Sequence, residues 1–488
     1  MSVMQIEHLS FTYPGSFDPV FEDVSLRFDT RWRLGLIGRN GRGKTTLLRL
    51  LLGQYACGGA VHTSVPCDYF PYPVHDPDQP TGTVLQSVCP EAQEWALLRE
   101  LSLLEVDEDA FWRPFSTLSG GEQTKALLAA LFLREGRFPL IDEPTNHLDA
   151  HARAVLSGYL RRKRGFLLVS HDRHFLDGCV DHIVSLNRAD IEVQAGNFSS
   201  WWQNYERQQA FEATQDARLQ KEIAGLQKAA RRTAGWSDRT EAAKYGGGPV
   251  DRGFIGHKSA KMMQRAKSIA ARQERAIAQK SSLLHNRERA ERLKLSPLCY
   301  HADRLASFSQ AAAVYDGHPA GAPVSFEVHR GDRIALDGRN GCGKTSLLRL
   351  LTGAPIDHCG TVTVASGLVI SYVPQDTAHL RGSLSDFIAA HGLDETLFKS
   401  ILRKMDFARA QFEKDMAAYS AGQKKKVLLA KSLCERAHLY VWDEPLNYID
   451  VFSRMQIEQL LAEFAPTMVF VEHDRAFRDA VATKIIGL

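Results

Sequence analysis

The sequence predicts an α/β protein built from two copies of one parallel-sheet domain with a long helical insert between them. Three observations predict this. GRNGRGKTTLLRLLLG (Gly38–Gly53) returns as GRNGCGKTSLLRLLTG (Gly338–Gly353), with 13 of 16 positions identical at an offset of 300. IDEPTNHLD (Ile141–Asp149) returns as WDEPLNYID (Trp442–Asp450) at an offset of 301, and VSHDR (Val169–Arg173) as VEHDR (Val471–Arg475) at 302. Charge is unevenly placed: from Arg218 to Lys294 there are 19 Lys and Arg against 7 Asp and Glu, a net +12 in a chain of +3, leaving −9 for the rest. Three paired motifs in one order mean a duplicated domain. The expected boundaries are 1–195 and 298–488 for the copies and 196–297 for the basic insert.

Each copy opens with strand-like alternation, as in Val24–Phe28 and Val324–Val328, and a short apolar strand then leads into a glycine turn and a Leu-rich helix. Later apolar runs (Phe138–Ile141, Phe166–Val169; Leu439–Trp442, Met468–Val471) lie between helical segments, the alternation of a largely parallel sheet. In the insert, apolar residues such as Leu219, Ile223 and Leu226 recur at helical spacing among charges from Trp201 to about Thr240. A second such stretch runs from about Lys258 to Leu295. The glycines and proline of Lys244–Gly256 break any helix between them, so the insert reads as two antiparallel helices joined by a tip loop near 241–257. Forty helical residues span about 60 Å, longer than a small domain is wide.

Composition excludes several classes. Hydrophobic residues at 44% and charged residues at 24% exclude a mostly disordered or collagen-like chain. No run approaches the roughly 18 apolar residues of a membrane span, and the first residues, MSVMQIEHLSFTYPG, lack the pattern of a secretory signal. Eight scattered cysteines without a C-x-x-C pair read as reduced thiols of a cytoplasmic protein. The basic insert suits a polyanionic partner, or else a solvated helical linker.

Gly38–Thr45 and Gly338–Thr345 both fit G-x-x-x-x-G-K-[ST]. Such a loop, at a helix N-terminus, presents consecutive backbone N–H groups to phosphates, and the helix dipole favours the anion. Gly38, Asn40, Gly41 and Gly43, with Gly338, Asn340, Gly341 and Gly343, would shape the two cradles, and Thr46 and Ser346 continue them. Lys44 and Lys344 would contact the β- and γ-phosphates of ATP, and the hydroxyls of Thr45 and Thr345 would ligate Mg²⁺. Asp142 and Asp443 end apolar strands, which places a carboxylate at the sheet edge near the metal. Glu143 and Glu444 follow immediately and are placed to polarise an attacking water. His171 and His473 follow a later strand, where a histidine can reach a γ-phosphate; their matched recurrence argues against a purely structural role. Ser119-Gly120-Gly121 and Ser420-Ala421-Gly422 each precede a helix, and alone would be helix-capping turns.

With these motifs in order and in duplicate, including Asp149 and Asp450 after the Asp-Glu pairs, the chain resembles the ATP-binding cassette (ABC) ATPases. Two cassettes without a membrane domain, joined by a basic helical insert, resemble the ABC-F family, of which Glu143–Asp149 (EPTNHLD) is typical. A narrower resemblance, to the Lsa/Vga-type antibiotic-resistance ABC-F proteins, rests on Tyr419–Val427 (YSAGQKKKV), Glu444–Arg454, Gly196–Trp202 (GNFSSWW) and Gly253–Met263.

The resemblance implies head-to-tail cassettes within one chain, an internal dimer of a monomer. ATP on Gly38–Thr45 would be covered by Ser420 and Gly422, and ATP on Gly338–Thr345 by Ser119, Gly120 and Gly121. Gln375, after a strand of the second copy, would join the nucleotide and Mg²⁺. Tyr13 would stack on adenine; in the second copy the candidates are Phe308 and Tyr315, either of which could instead be a core residue. Two departures stand out: Phe70-Pro-Tyr72-Pro has no glutamine matching Gln375, and Ala421 replaces a signature glycine. The implied function is ribosomal protection. The factor would bind with ATP in the E site of the 70S ribosome, contacting rRNA and P-site tRNA through 196–297. It would relieve inhibition by lincosamides, streptogramin A and pleuromutilins. Affinity carried by Lys and Arg on phosphates would fall steeply with salt, and Tyr245 and Phe254 would either stack on unpaired bases or pack the two helices together. Rival readings are a housekeeping ABC-F translation factor, the ATPase subunit of an exporter and, last, a DNA-repair or chromosome-organising ATPase.

Overall fold

A computed structural model describes residues 3–15, 18–146, 148–187, 191–242, 272 and 293–488. The expected tip loop near 241–257, with Tyr245 and Phe254, lies outside them except for its first two residues, and so does nearly all of the expected second insert helix.

The first copy runs through β1 (Val3–Phe11), β2 (Phe21–Asp29), β3 (Arg33–Gly38), β4 (Gly58–Thr63), β5 (Cys67–Phe70), β6 (Phe138–Asp142), β7 (Phe166–Val169), β8 (His182–Leu186) and β9 (Ile191–Ala195). Strands β2-β1-β4 form an antiparallel sheet. The alternation of β2 puts Phe21, Val24, Leu26 and Phe28 inside and the residues between them outside. The main sheet has the order β5-β6-β7-β3-β8-β9 and is parallel except for β9. Its central strand β7 is buried at all four positions, as a sheet covered on both faces requires.

The second copy repeats this through β10 (Arg304–Tyr315), β11 (His318–Pro319), β12 (Val324–His329), β13 (Arg333–Asp337), β14 (His358–Val364), β15 (Ile370–Val373), β16 (Leu439–Asp443), β17 (Met468–Val471) and β18 (Lys484–Gly487). Its parallel sheet, β15-β16-β17-β13-β18, has the order of the first without the added edge strand. After β9 the chain enters a helix spanning Phe198–Ala242, 45 residues or about 67 Å. Both copies belong to one compact unit.

Buried ion pairs lock one helix of each copy to the strand end behind it. Arg153 Nη1 meets Asp172 Oδ2 at 3.0 Å, and Arg454 Nη1 meets Asp474 Oδ2 at 2.9 Å. Arg454 also donates to the carbonyls of Ile449 and Leu446, so its guanidinium is well satisfied. Burial alone would push Asp474 up, but Arg454 and Arg173 hold it below the ordinary carboxylate range. Replacing Arg454 by Ala strands that carboxylate and is expected to destabilise the second copy by about 3–5 kcal/mol. The readout is a lower denaturant midpoint, and an unchanged midpoint would refute the assignment.

Candidate functional site

Parallel strands deliver their ends to one edge, and that edge carries the chemistry. Asp142 pairs with Val169 and Leu36 with Val169 in register, so Gly38, Asp142 and Ser170 emerge together. The same register brings Asp337, Asp443 and Val471 together in the second copy. Glu143 and Glu444 come next, and both adopt positive φ, 50° and 46°. Their backbone N–H groups donate to the carbonyls of Val169 and Val471, each at 3.0 Å, which pins this uncommon conformation.

The two phosphate-type loops have one backbone shape. Gly41 and Gly43 sit at φ 85° and 91°, their counterparts Gly341 and Gly343 at 82° and 93°. At Gly43 a Cβ would also stand 2.6 Å from Val20 Cγ1, so position and space both require glycine. Lys44 Nζ donates to the carbonyls of Gly38 (2.8 Å) and Arg39 (3.2 Å), and Lys344 Nζ to those of Gly338 (2.7 Å) and Arg339 (2.8 Å). Each ammonium is thus held at the mouth of its loop. Burial lowers the Lys44 pKa, against the pull of Asp450, Glu143 and Asp142.

The carboxylates differ between the copies. The Thr45 hydroxyl donates to Asp142 Oδ2 at 2.9 Å and Tyr69 to the same oxygen at 3.0 Å. Burial, then the neighbouring Asp142, pushes Glu143 up to about 8. Glu444 is also pushed up by burial, but His473, Gln375 and Asn447 outweigh that and hold it below its ordinary value. Gln375 Nε2 and Asn447 Nδ2 donate to Glu444 Oε2 at 2.9 and 2.6 Å. His171 Nε2 lies 3.1 Å from Glu143 Oε1 and His473 Nε2 lies 3.4 Å from Glu444 Oε1, both without hydrogen-bond alignment. Burial, then Lys44, holds His171 well below the ordinary imidazole range, so it is neutral and has one nitrogen able to accept.

Oxygen donors converge where a hard cation would sit. Burial pushes Asp443 up to about 6 against the Thr345 hydroxyl, and both Asp443 oxygens are buried without a well-formed hydrogen bond. That orphaned carboxylate beside a hydroxyl suits Mg²⁺. Thr45 with Asp142 forms the matching pair in the first copy.

Ser119 and Ser420 both make capping boxes. Glu122 N donates to Ser119 Oγ while Ser119 N donates to Glu122 Oε2, and Ser420 does the same with Gln423. These helix starts face the opposite copy. A cavity of about 980 Å³ is lined by Arg339–Gly341 and Gly343–Ser346 on one side and by Ser119–Glu122, Asn146 and Asp149 on the other, with Gln375, Glu444 and His473 in its wall. At the other loop Asn40 Nδ2 donates to the carbonyl of Tyr448 at 2.8 Å. A Cβ on Gly422 would lie 3.2 Å from Asn40 Nδ2 and 2.6 Å from Tyr448 O, so this glycine is the one the packing demands, whereas Ala421 is exposed and unobstructed.

The structure separates Phe308 from Tyr315. Phe308 is in the core, stacked on Phe326 at 4.6 Å, while Tyr315 lines the cavity and its hydroxyl meets Ser346 Oγ at 2.9 Å. Tyr13 is its mirror, meeting Thr46 Oγ1 at 2.7 Å.

Sequence reasoning missed several residues. Lys425 and Lys426, two members of a three-lysine run given no site role by the sequence, are both buried: Lys425 Nζ donates to Pro374 O at 2.9 Å, and Lys426 Nζ meets Asp450 Oδ2 at 3.1 Å. Asn447 carried one available signal, its place three residues after Glu444. Nothing in the sequence pointed to Tyr69 or to the Tyr448 carbonyl.

Two nucleotide-type loops, each roofed by a helix start from the other half, define the class: a paired-cassette P-loop ATPase domain architecture. The family model described as ABC transporter matches residues 21–146 and 322–447, and the chain belongs to that family. It is homologous to the ABC-F proteins. It is 30% identical to the ATP-binding protein Uup of Caulobacter vibrioides over 96% of this chain and 75% of that one. It is 27% identical to the ribosome protection protein VmlR of Bacillus subtilis over 94% and 82%, and 26% identical to the energy-dependent translational throttle protein EttA of Escherichia coli over 96% and 89%. Among solved structures, an archaeal ribosome recycling factor in complex with a ribosomal stalk protein shares the fold, with a TM-score of 0.63, 18% identity, and coverage of 98% and 87%. Among the described residues no helix is long and apolar enough to cross a membrane.

Proposed function

We propose that this protein is an ATP-hydrolysing ribosomal protection factor of the cytoplasm. The observation that carries the ATPase reading is the composite cavity, in which Lys344 and Thr345 of one half face Ser119 and Gly121 of the other. A γ-phosphate there would touch both halves at once. ATP thus has contacts in the closed pair that ADP lacks, and only such a differential contact shifts a conformational equilibrium. Lys44 and Lys344 would leave their loop carbonyls for phosphate oxygens. Tyr13 and Tyr315 would stack on adenine. Glu143 and Glu444 would accept the proton of the attacking water, with His171 and His473 beside them. Mg²⁺, when bound by Thr45 and Asp142 or by Thr345, Asp443 and Gln375, neutralises phosphate charge.

The +12 stretch from Arg218 to Lys294 supports rRNA and tRNA as partners of the insert. In this reading the closed form enters the E site and the segment around Lys244–Gly256 acts toward the peptidyl transferase centre. It relieves lincosamides, streptogramin A and pleuromutilins. The likeness to VmlR supports protection, and that to EttA supports a second reading, a translation factor without drug selectivity. Deleting residues 245–255 separates the two. In cell-free translation with purified protein, the deletion should abolish rescue from these drugs while ATP turnover stays within about twofold of the parent, since surface changes away from the site cost little. A parent protein that rescues no drug-inhibited reaction would leave the second reading.

A further inference from the structure

We infer that the two composite sites divide the work: the Gly338–Thr345 site reopens and turns over, while the Gly38–Thr45 site stays shut as the pivot. This rests on the ATPase reading above and adds which site does what.

The two halves are copies, so every contact across one site has a symmetry mate across the other. Side chains in several mates have been exchanged. Arg173 Nη2 grips Glu458 Oε1 and Oε2 at 3.0 and 2.8 Å across the first site, with both side chains 14% exposed. Their mates are Arg475 and Ser157. Ser157 carries no charge, and Arg475 is 61% exposed and paired at 3.7 Å with Asp479 of its own helix. Arg39 lies over the Phe452 ring at 5.5 Å, where the mates are Arg339 and His151. Arg42 approaches Asp406 at 4.0 Å. The mates there are Cys342 and Glu105, and Glu105 is engaged within its own half, 2.7 Å from His151.

The Arg173–Glu458 pair dominates by magnitude. One guanidinium nitrogen spans both carboxylate oxygens, mostly out of water, where removing one partner is costly, whereas a 4.0 Å contact contributes little. The first edge therefore has a charged side-chain latch that persists without nucleotide; the second edge lacks it, is joined by the Asn340 backbone N–H on the Asp149 carboxylate, and relies more on nucleotide for closure.

The positioning of the water-polarising carboxylates runs the same way. Gln375 and Asn447 fix Glu444 in the second site. In the first site Tyr72 stands at the Gln375 position, and Glu143 Oε1 is buried without a hydrogen bond. The machinery is more completely oriented at the site that is free to open.

Spin labels on the full-length protein test this. One pair replaces His174 and Gln459, neighbours of Arg173 and Glu458; its symmetry mate replaces Gly158 and Ala476. Removing ATP should lengthen the Gly158–Ala476 distance and leave the His174–Gln459 distance unchanged. In a chase after photoreactive ATP loading, nucleotide should leave the Gly38–Thr45 loop roughly tenfold more slowly, a tenfold ratio being about 1.4 kcal/mol. Glu458→Gln, or Arg173→Ala as a second variant, should make the first distance lengthen too. Equal lengthening of both pairs in the parent, or a first pair that ignores both variants, overturns the inference. If both loops load ATP but neither distance responds, nucleotide-driven closure itself fails and this inference falls with it.

Discussion

Glutamine at both Glu143 and Glu444 should lower ATP turnover by about two to four orders of magnitude, the range lost when a positioned general base is removed. Binding should survive. The substitution keeps the shape of each side chain and leaves the loops, Lys44, Lys344, Thr45 and Thr345 untouched. Glu444 would exchange a carboxylate oxygen for an amide group beside Gln375 and Asn447, which donate to Oε2 and can still find an oxygen acceptor there. At the first site burial, then Asp142, pushes Glu143 up to about 8, so glutamine there mimics the protonated acid and removes only the ability to take up the proton of water. With ATP bound and not hydrolysed, the halves should stay closed and the protein should accumulate on ribosomes. Steady-state phosphate release and cosedimentation with 70S particles measure the two effects. Turnover like the parent's would remove both residues from the water-polarising role; lost turnover without retention would separate hydrolysis from ribosome binding.

Alanine at Lys344 should weaken ATP binding at the second site by about 10–100-fold, the effect of losing a charge-assisted hydrogen bond of 1.5–3 kcal/mol. Lys344 is 6% exposed, and its ammonium is held by Gly338 O and Arg339 O beside the cavity that it lines with Ser119 and Gly121. Arginine at this position should not rescue it. Its planar fork is larger than an ammonium and does not fit a mouth closed by two carbonyls. Titration with a fluorescent ATP analogue, resolved by photolabelling of each loop, reads the loss. Undiminished labelling of the Gly338–Thr345 loop would show that the lysine does not hold phosphate.

Much of this site was legible before any fold was known, because its parts are local. A glycine loop between a strand and a helix, and an Asp-Glu pair closing an apolar strand, are each encoded within about ten consecutive residues. Their duplication at offsets of 300, 301 and 302 made them unambiguous. That strands alternating with helices make a largely parallel sheet was legible too, whereas its strand order, β5-β6-β7-β3-β8, came only from the structure.

What the residues left open was decided by contacts between segments far apart. Phe308 and Tyr315 are chemically plausible alike, and only the register of β10 against β12 and β14 turns one into the core and leaves the other beside Ser346. The triple lysine at 424–426 looks solvated until helix packing buries two of its members against Asp450 and the carbonyls of Pro374 and Met405.

The sequence by itself determined that this is a duplicated α/β protein with two phosphate loops, two strand-end carboxylate pairs and a cationic insert, since each of these is written in neighbouring residues. Only the tertiary structure decided that Arg173 holds Glu458 and that Asn40 holds the Tyr448 carbonyl, partners 285 and 408 residues apart. The reason is physical: a hydrogen bond across an interface depends on the positions of two folded surfaces, and no local pattern in either segment records the other.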